Sequence, residues 1–398
     1  MNPTASHQRS FLGSHASRLA GSSVAAVLAL SILTGLGPVL DQAGLPGAPA
    51  TVAATGPHII ASALQISRIP KVGAAWRSLK AAADSSAGTP NLSNQDSNND
   101  VMVLAKALVY AKTKLARYRT SVVTNLRAVV GTEAGGRTLA VGRGVAAYVI
   151  AADLINLAAY KPSFNKYTFR PWLRRLLTKN LDGDSLVSTN NLRANNWGTH
   201  AGAARIAIAI YLGDRLQLAR AAKVFHGFVG YRVAYHGFRF GELDWQCHPT
   251  RPVGINPKGC IKAGIPVGGV LPDDMRRGGG LQWPPSETNY PWEAMQGLVL
   301  SAEMLTRAGY PAWTWSDKAL LRAANFLYSK AGWPADSNDS WQPWLLDYRY
   351  GTRFRTAAPS HFGKNFGWTD WLYSKRVKGR PRAASAGTVA STASLTGR

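Results

Sequence analysis

The segment Asn195-Asn196-Trp197-Gly198-Thr199-His200, followed by the run AGAARIAIAIYL over residues 201–212, decides the fold of this chain. Written as a helix, residues 199–212 are apolar on almost every side, and Gly213 follows them as a natural stop. A helix that is apolar all round belongs inside a large helical assembly. The stretch therefore predicts a buried helix whose N-terminal end carries the polar residues 195–200.

Helical periodicity continues on both sides of this segment. Apolar residues recur at helical spacing from Asp100 to Leu115 and from Leu139 to Leu157, before Lys161-Pro162 ends the second pattern. Strand signals are few and short, so repeated paired helices predict an all-α fold. We expect an (α/α) toroid or incomplete barrel of helical hairpins, with an irregular helical bundle as the alternative. Further helices are predicted over residues 74–83, 169–180, 213–226, 291–309 and 316–329.

Composition divides the chain into four segments. Residues 1–50 run from a basic start through an apolar stretch to small residues, which is the order of a secretory signal; an uncleaved anchor or a disordered leader is the alternative. Residues 51–99 are partly irregular, residues 100–376 form the predicted toroid domain, and the Ala/Ser/Gly-rich residues 377–398 predict a disordered tail. A cleaved signal implies a secreted or periplasmic protein without stable membrane association.

The charge of the chain is strongly positive. It contains 46 Lys and Arg residues against 21 Asp and Glu residues, a formal net charge of +25, most of it outside the two terminal segments. Such a field attracts polyanions but does not choose among nucleic acid, acidic polysaccharide and anionic membranes. No nucleic-acid-binding motif is present, and export argues against that partner. The oligomeric state stays open.

Two cysteines, Cys247 and Cys260, lie in the Gly-, Pro- and aromatic-rich stretch 235–290. In an exported protein they predict one disulfide across a surface excursion, with two unpaired thiols as the alternative. His248 is adjacent, but no second pair of ligands stands at zinc-site spacing, so no metal or other cofactor is expected.

The polar start of the buried helix is the first candidate site. An Asn at a helix start is commonly a cap for free N–H groups, which accounts for one of the two adjacent asparagines. Asn196 and His200 are four residues apart and share a helix face. The alternative is that His200 is a core histidine whose hydrogen bonds are made within the protein. The amide of Asn196 one turn away favours a functional pair.

A second group lies near the end of the stretch 235–290. Arg276 and Arg277 belong to the sequence LPDDMRRG at 271–278, and Tyr290 directly precedes a predicted helix. The positive end of that helix and an arginine both favour a phenolate anion. The alternative is that Tyr290 only packs against its neighbours and that the two arginines are solvated.

One reaction gives these residue types a common purpose. Cleavage of a polyuronate by β-elimination removes the proton at C5, which is not acidic while the neighbouring carboxylate keeps its negative charge. Amide, imidazole or guanidinium donors must neutralise that carboxylate, a base must take the proton, and an acid must serve the leaving O4. Asn, His, Arg and Tyr are suited to these tasks.

The order of these motifs resembles the alginate lyase superfamily of polysaccharide lyases, as a divergent member. The resemblance covers roughly residues 100–330, including the helix RGVAAYVIAAD at 143–153 and the run YPWEAMQGLVLSAE at 290–303. It implies an (α/α) toroid with a deep cleft for an acidic glycan. By the resemblance, Asn196 neutralises the carboxylate, Arg277 is the active-site arginine, and Tyr290 is the acid and in many members also the base.

Two departures from the family pattern bear on the substrate. The family usually has His at the position of Trp197 and an aromatic residue at that of His200, so the two types are exchanged here. The stretch from Arg277 to Tyr290 is longer than usual, and residues 279–285 are expected to form a lid or subsite wall. The predicted catalytic residues are therefore Asn196, His200, Arg277 and Tyr290, and the predicted substrate-binding residues are Asn195, Trp197, Arg276, Trp283, Trp292 and Trp172.

Two other classes of function remain compatible with the sequence. A helical-toroid glycoside hydrolase needs two carboxylates placed as acid and base. A non-catalytic, secreted polyanion-binding protein needs only the basic charge and the tryptophans. Carboxylates available to a hydrolase are Asp244, Asp273, Asp274, Glu287 and Glu293.

Overall fold

The computed structural model describes residues 58–355 and 357–374, so the predicted signal segment 1–50 and tail 377–398 lie outside the described residues. The first helices are α1 (Ala63–Ser67), α2 (Gly73–Asp84), α3 (Asn99–Thr113), α4 (Ala116–Ala128), α5 (Thr138–Leu154), α6 (Leu157–Tyr160), α7 (Pro162–Phe164), α8 (Arg170–Thr178) and α9 (Leu186–Leu192). They are followed by α10 (Asn196–Leu212), α11 (Arg215–Phe228), α12 (Pro272–Met275), α13 (Tyr290–Arg307), α14 (Trp315–Asn325), α15 (Gln342–Tyr350) and α16 (Thr369–Leu372). Short π-helical turns span Asn165–Phe169 and Phe326–Ala331, 3₁₀ turns span Arg276–Gly278 and Ser337–Asp339, and one antiparallel hairpin pairs β1 (Ile261–Lys262) with β2 (Ile265–Pro266).

The long helices form two layers. Helices α3, α5, α10 and α13 make the inner layer, in which α5 packs between α3 and α10, and α10 packs between α5 and α13. Helix α4 covers α3, helices α9 and α11 cover α10, and α14 covers α13. This alternation of inner and outer helices along the chain is the (α/α) toroid predicted from the sequence.

The inner helices approach one another closely because they carry small residues at their contacts. A Cβ atom on Gly297 of α13 would lie 2.4 Å from the carbonyl carbon of Thr199 and 2.7 Å from the backbone nitrogen of His200. On the other side of α10, a Cβ on Gly142 of α5 would lie 3.0 Å from the backbone nitrogen of Ala201. The first turns of α10 are therefore held between two glycine-lined helices.

We expect Gly297→Ala to destabilise the protein by about 1 to 3 kcal/mol, because the new methyl group meets backbone atoms that cannot rotate away. The measurement is thermal unfolding followed by circular dichroism. Gly144→Ala is the matched control within an inner helix, since its Cβ would meet only a terminal methyl group of Leu92. Equal unfolding midpoints for the two variants would contradict the close packing of α10 against α13.

The two ends of the described chain meet. The rings of Trp76 in α2 and Trp371 in α16 lie 5.5 Å apart, and Trp371 Nε1 donates to the carbonyl of Pro70 at 2.9 Å. Tyr373 donates to the carbonyl of Ile60 at 3.3 Å. Residues 58–99 are consequently part of the same helical body, which begins earlier than the predicted boundary at residue 100.

The long connection between α11 and α13 is tied down by a disulfide. Cys247 and Cys260 are bonded, as predicted, and the β1–β2 hairpin follows directly. Asn256 anchors the loop from inside, because its amide donates to the carbonyls of Trp245 and Val267. Among the residues that the structure describes, no helix combines the length and apolar character of a membrane span.

Candidate active site

The inner helices α5, α10 and α13 run parallel, so that their N-termini lie at one end of the toroid. Near these N-termini, Gly142 and Gly297 flank the residues around His200. Near the other end, residues 209–212 of α10 and Met304, Arg307 and Ala308 around the end of α13 line one cavity. Parallel helices place their positive dipole ends together, which favours an anion at this end.

The start of α10 is held by the turn that contains α12. Asn195 caps the helix by accepting from the Trp197 N–H at 3.1 Å, and its amide donates to Asp273 at 2.8 Å. The Asn196 N–H donates to Asp274 at 2.9 Å. Burial raises the pKa of Asp274 well above its ordinary value, and the charge of Asp273 adds to the shift. Asn195 is therefore the N-terminal cap of α10, a position that asparagine commonly occupies.

Asn196 and His200 lie behind the molecular surface. Asn196 is 1% exposed and the His200 ring is fully buried, at 0% exposure. Neither side chain therefore touches a substrate in this conformation, which corrects the prediction that both act on the sugar directly. They share a helix face as predicted, and both lie beneath side chains that reach the surface.

His200 is oriented by a residue from the far end of the chain, Asn365. With its two N–H groups donating to the carbonyls of Gly142 and Arg143 at 2.7 and 2.8 Å, the Asn365 amide accepts from His200 Nδ1–H at 2.7 Å. This bond fixes the orientation of the ring and directs Nε2 towards Glu293. Burial lowers the pKa of His200, and the neighbouring Glu293 carboxylate opposes this shift.

Glu293 connects the buried histidine to the surface. Its carboxylate forms an ion pair with Arg143 and lies 3.5 Å from His200 Nε2. Burial alone would raise the pKa of Glu293, but the neighbouring His200 and Arg143 outweigh it and lower the value to about 2. The side chains of Glu293 and Arg143 keep 15% and 11% of their surface exposed. Arg143 and Glu293 thus form the floor of the site, with His200 and Asn365 supporting it.

Arg277 and Tyr290 meet at the surface. The Arg277 guanidinium carbon lies 3.8 Å from the centre of the Tyr290 ring, in cation–π geometry. Tyr290 is the first residue of α13 and lies one turn before Glu293, on the same side of the helix. The structure therefore brings together the arginine and the tyrosine that the sequence analysis assigned to one reaction.

Arg276 has a different place. Its guanidinium donates to Asp273 at 2.9 Å and pairs with Glu242. Because Asp273 also receives Asn195, Arg276 holds the α12 turn against the start of α10. The prediction that Arg276 binds substrate is replaced by this positioning role.

The four candidate tryptophans separate by exposure. Trp172 and Trp292 are each 3% exposed, and their indole N–H groups donate to Glu133 and to the carbonyl of Trp333. Both belong to the core, so the prediction that they stack on sugar faces is wrong. Trp283 is 44% exposed on the loop before α13, and Trp197 is partly exposed at the rim of α10.

Sequence reasoning did not assign Asn365, Arg143 or Glu293 to the lyase site. The sequence marks Glu293 only as a possible hydrolase carboxylate, although its spacing of three from Tyr290 is a usable signal. Arg143 lies in the family-like helix 143–153 without a predicted role, and no local pattern marks Asn365. Among the described residues no group of three or more His, Cys, Asp or Glu side chains is placed to hold a metal ion.

Two buried carboxyl groups near this end of the toroid make stability depend on pH. Burial raises the pKa of Asp339 to about 8, with a further contribution from Glu293, and burial raises that of Asp100 to about 7. Both groups hold a proton in the folded state that the unfolded chain releases near its ordinary value of 3.8. Their contribution to stability is therefore complete below pH 4 and is lost as pH rises through about 7 to 8.

We expect the unfolding temperature to fall between pH 5 and pH 8, and the double variant Asp100→Asn/Asp339→Asn to flatten this dependence. Differential scanning calorimetry across that range is the measurement. Asp182→Asn, which changes an exposed carboxylate, is the control and should leave the slope as it is. A double variant with the slope of the unmodified protein would show that the two buried groups are ionised throughout.

Residues 90–243 match the alginate lyase family model. Alginate lyase A1-III from Sphingomonas species A1 is similar in structure, with 14% identity over 64% of this chain and 69% of that chain and a TM-score of 0.41. A variant of alginate lyase A1-III complexed with a tetrasaccharide is 14% identical over 70% of this chain and 75% of that chain, with a TM-score of 0.47. An alginate lyase from Bacteroides ovatus is 14% identical over 69% of this chain and 72% of that chain, with a TM-score of 0.44. No curated protein matches the chain in sequence.

The matched region contains three of the features described above. It begins before α3, includes Arg143 on α5, and ends after the segment 195–200 at the start of α10. Residues 90–243 of this chain are thus similar to the alginate lyase family.

Proposed function

We propose that this protein is an exported polysaccharide lyase that cleaves a uronate-containing glycan by β-elimination. One observation carries the proposal: an exposed arginine, Arg277, lies against the ring of Tyr290 at the N-terminus of α13. The family match over residues 90–243 and the net charge of +25 support an acidic polysaccharide as the substrate. The sequence pattern of residues 1–50 supports export.

In this proposal Arg277 meets the carboxylate of the sugar whose C5 proton is removed. Pairing with a guanidinium and with the positive helix ends withdraws charge from the carboxylate, which makes the C5–H bond acidic enough to break. Tyr290, acting as a phenolate, takes that proton. The electron pair forms the C4–C5 double bond, the C4–O4 bond breaks, and Tyr290 returns a proton to the leaving O4.

Glu293 is a poor candidate for the base. Its pKa of about 2 makes the carboxylate a weak proton acceptor, and a base works best when its pKa lies near the working pH. We assign it instead to holding Arg143 at the floor of the cleft, with His200 and Asn365 behind it. Asn196, whose N–H binds Asp274, keeps the α12 turn and hence Arg277 in register with α13.

A glycoside hydrolase is the second candidate, because two neighbouring carboxyl groups have pKa values pushed apart. Glu293 at about 2 and Asp339 at about 8 have the ionisation states of a base and an acid. Asp339, however, is 2% exposed and accepts from the amides of Gln296 and Gln342. This burial places the acid out of reach of a glycosidic oxygen and favours the lyase.

Ultraviolet absorbance of the products decides between these functions. A lyase leaves an unsaturated uronate that absorbs, whereas a hydrolase leaves saturated ends that do not. We expect absorbance to rise with at least one member of a panel containing alginate, polygalacturonate and hyaluronate, and affinity to fall as salt is added. New reducing ends without absorbance would establish the hydrolase, and binding without cleavage of any polymer would establish a non-catalytic polyanion-binding protein.

A further inference from the structure

The rim formed by the N-termini of α5 and α10 carries a cluster of two arginines around one indole. We call Arg137, Trp197 and Arg193 the Arg–Trp–Arg cluster. The guanidinium carbons of Arg137 and Arg193 lie 5.4 and 5.3 Å from the centre of the Trp197 ring. Both arginines are exposed and the indole is partly exposed. The cluster therefore presents two cations and an aromatic group to solvent.

The cluster lies at the same end of the toroid as the proposed reaction centre. Arg137 immediately precedes α5, and Trp197 is in the first turn of α10. Since Gly142 packs against the backbone around His200, both residues lie about one turn nearer the helix N-termini than the buried histidine. The cluster is built from α5, α9 and α10, whereas Arg277 and Tyr290 belong to the α12 turn and α13. It is thus a neighbouring surface made by other elements.

The charges of the cluster are only lightly compensated. Arg193 reaches Asp184 at 3.3 Å, and Arg137 reaches the amide oxygen of Gln95 at 3.5 Å. Both guanidinium groups lie over one indole at the N-terminal ends of α5 and α10, where the helix dipoles also favour an anion. An indole beside two guanidinium groups also matches a uronate, which has an apolar C–H face and a carboxylate at its edge.

We propose that the Arg–Trp–Arg cluster is a binding subsite for an acidic sugar residue of the polymer chain. The two arginines bind the carboxylate and Trp197 packs against the ring face. The identity of the ligand as a uronate rests on the proposed function, whereas the binding of an anionic glycan does not. The subsite contributes only when the chain is long enough to reach from Tyr290 to Trp197, so it acts on polymers and leaves the shortest cleavable fragments unaffected.

The test measures binding without turnover. In a Tyr290→Phe background, isothermal titration with alginate, polygalacturonate and hyaluronate identifies the tightest polymer, and neutral dextran serves as the uncharged comparison. We expect Arg137→Gln/Arg193→Gln to weaken that affinity roughly tenfold, as two exposed charge contacts imply, and to reduce its dependence on salt. Trp197→Ala should also weaken binding, and Trp197→Phe should recover most of the loss.

A matched control separates a local site from the overall field. Arg215→Gln/Arg220→Gln removes the same charge from exposed positions on the outer helix α11 and should change affinity less than twofold. Equal losses in the two double variants, unchanged affinity in the cluster variant, or equal binding of dextran overturns the proposal. If the unmodified protein forms no unsaturated product but the cluster variant alone loses acidic-glycan binding, the lyase function fails and the subsite stands.

Discussion

Replacing Tyr290 with Phe is expected to reduce the rate of elimination by about three orders of magnitude while polymer binding is retained. The hydroxyl group performs both proton transfers in the proposed reaction, and loss of a positioned acid or base costs about 10²- to 10⁴-fold. The aromatic ring, against which Arg277 lies at 3.8 Å, stays in place and keeps this contact. Initial rates of ultraviolet absorbance increase and the Kd from titration are the two measurements.

Tyr167→Phe is the control for this variant. Tyr167 is 70% exposed in the π-helical turn Asn165–Phe169, which is remote in sequence from α13. Its rate should equal that of the unmodified protein. Near-normal turnover by Tyr290→Phe would exclude Tyr290 as the acid or base and would favour the carboxylates in that role.

The second large effect is a loss of folding stability, which we expect from Arg143→Met at the floor of the site. The substitution leaves the Glu293 carboxylate mostly buried without its guanidinium partner, and an uncompensated buried charge costs about 3 to 5 kcal/mol. Since both side chains keep some exposure, we expect roughly 2 to 3 kcal/mol of lost stability at pH 7. Chemical denaturation at fixed pH measures it.

The pH dependence of this variant has a definite sign. In the unmodified protein the pKa of Glu293 is lowered to about 2, so its favourable contribution is present above its ordinary value of 4.5 and is lost as pH falls towards 2. Without Arg143 the carboxyl group takes up a proton more readily. Arg143→Met should therefore be most destabilising at neutral pH and progressively less destabilising as pH falls towards 2.

The double variant Arg143→Met/Glu293→Gln completes a cycle. Removing the charge of Glu293 as well should restore most of the lost stability, while activity stays low because the floor of the cleft is rebuilt. Destabilisations that simply add would show that the two side chains are independent. His200→Ala provides a further comparison: it should lower activity and raise the pKa of Glu293, whereas a residue that only fills space would change the unfolding temperature alone.

The inner-helix framework was accessible from the sequence because it depends on local pattern. A run that is apolar on nearly every face, as in residues 199–212, can be stable only when surrounded by other helices. Helices α4, α9 and α15 were missed, because their patterns are mixed and their stability comes from packing against the inner layer. Tertiary contact also showed that residues 58–99 belong to the helical body.

Exposure of the tryptophans could not be predicted in the same way. Trp172, Trp292 and Trp197 are alike as residue types, and two of them face the core while the third lies at the rim. Which side of a helix is covered depends on the neighbouring helix, and the sequence of one helix does not contain that information. For the same reason Arg276 and Arg277, adjacent in sequence, have different contacts: Arg276 pairs with Asp273 and Glu242, and Arg277 lies against Tyr290.

The sequence by itself predicted the all-α class, the buried helix with its polar start, the disulfide, and the proximity of Arg277 to Tyr290. Each follows from spacing, residue type or motif order within a limited stretch. Only the tertiary structure placed Arg143 against Glu293, 150 residues apart, and Asn365 against His200, 165 residues apart. Those contacts form when distant helices pack together in the toroid. Periodicity along the chain indicates which face of a helix is buried, but it does not indicate which residue of another element packs against that face.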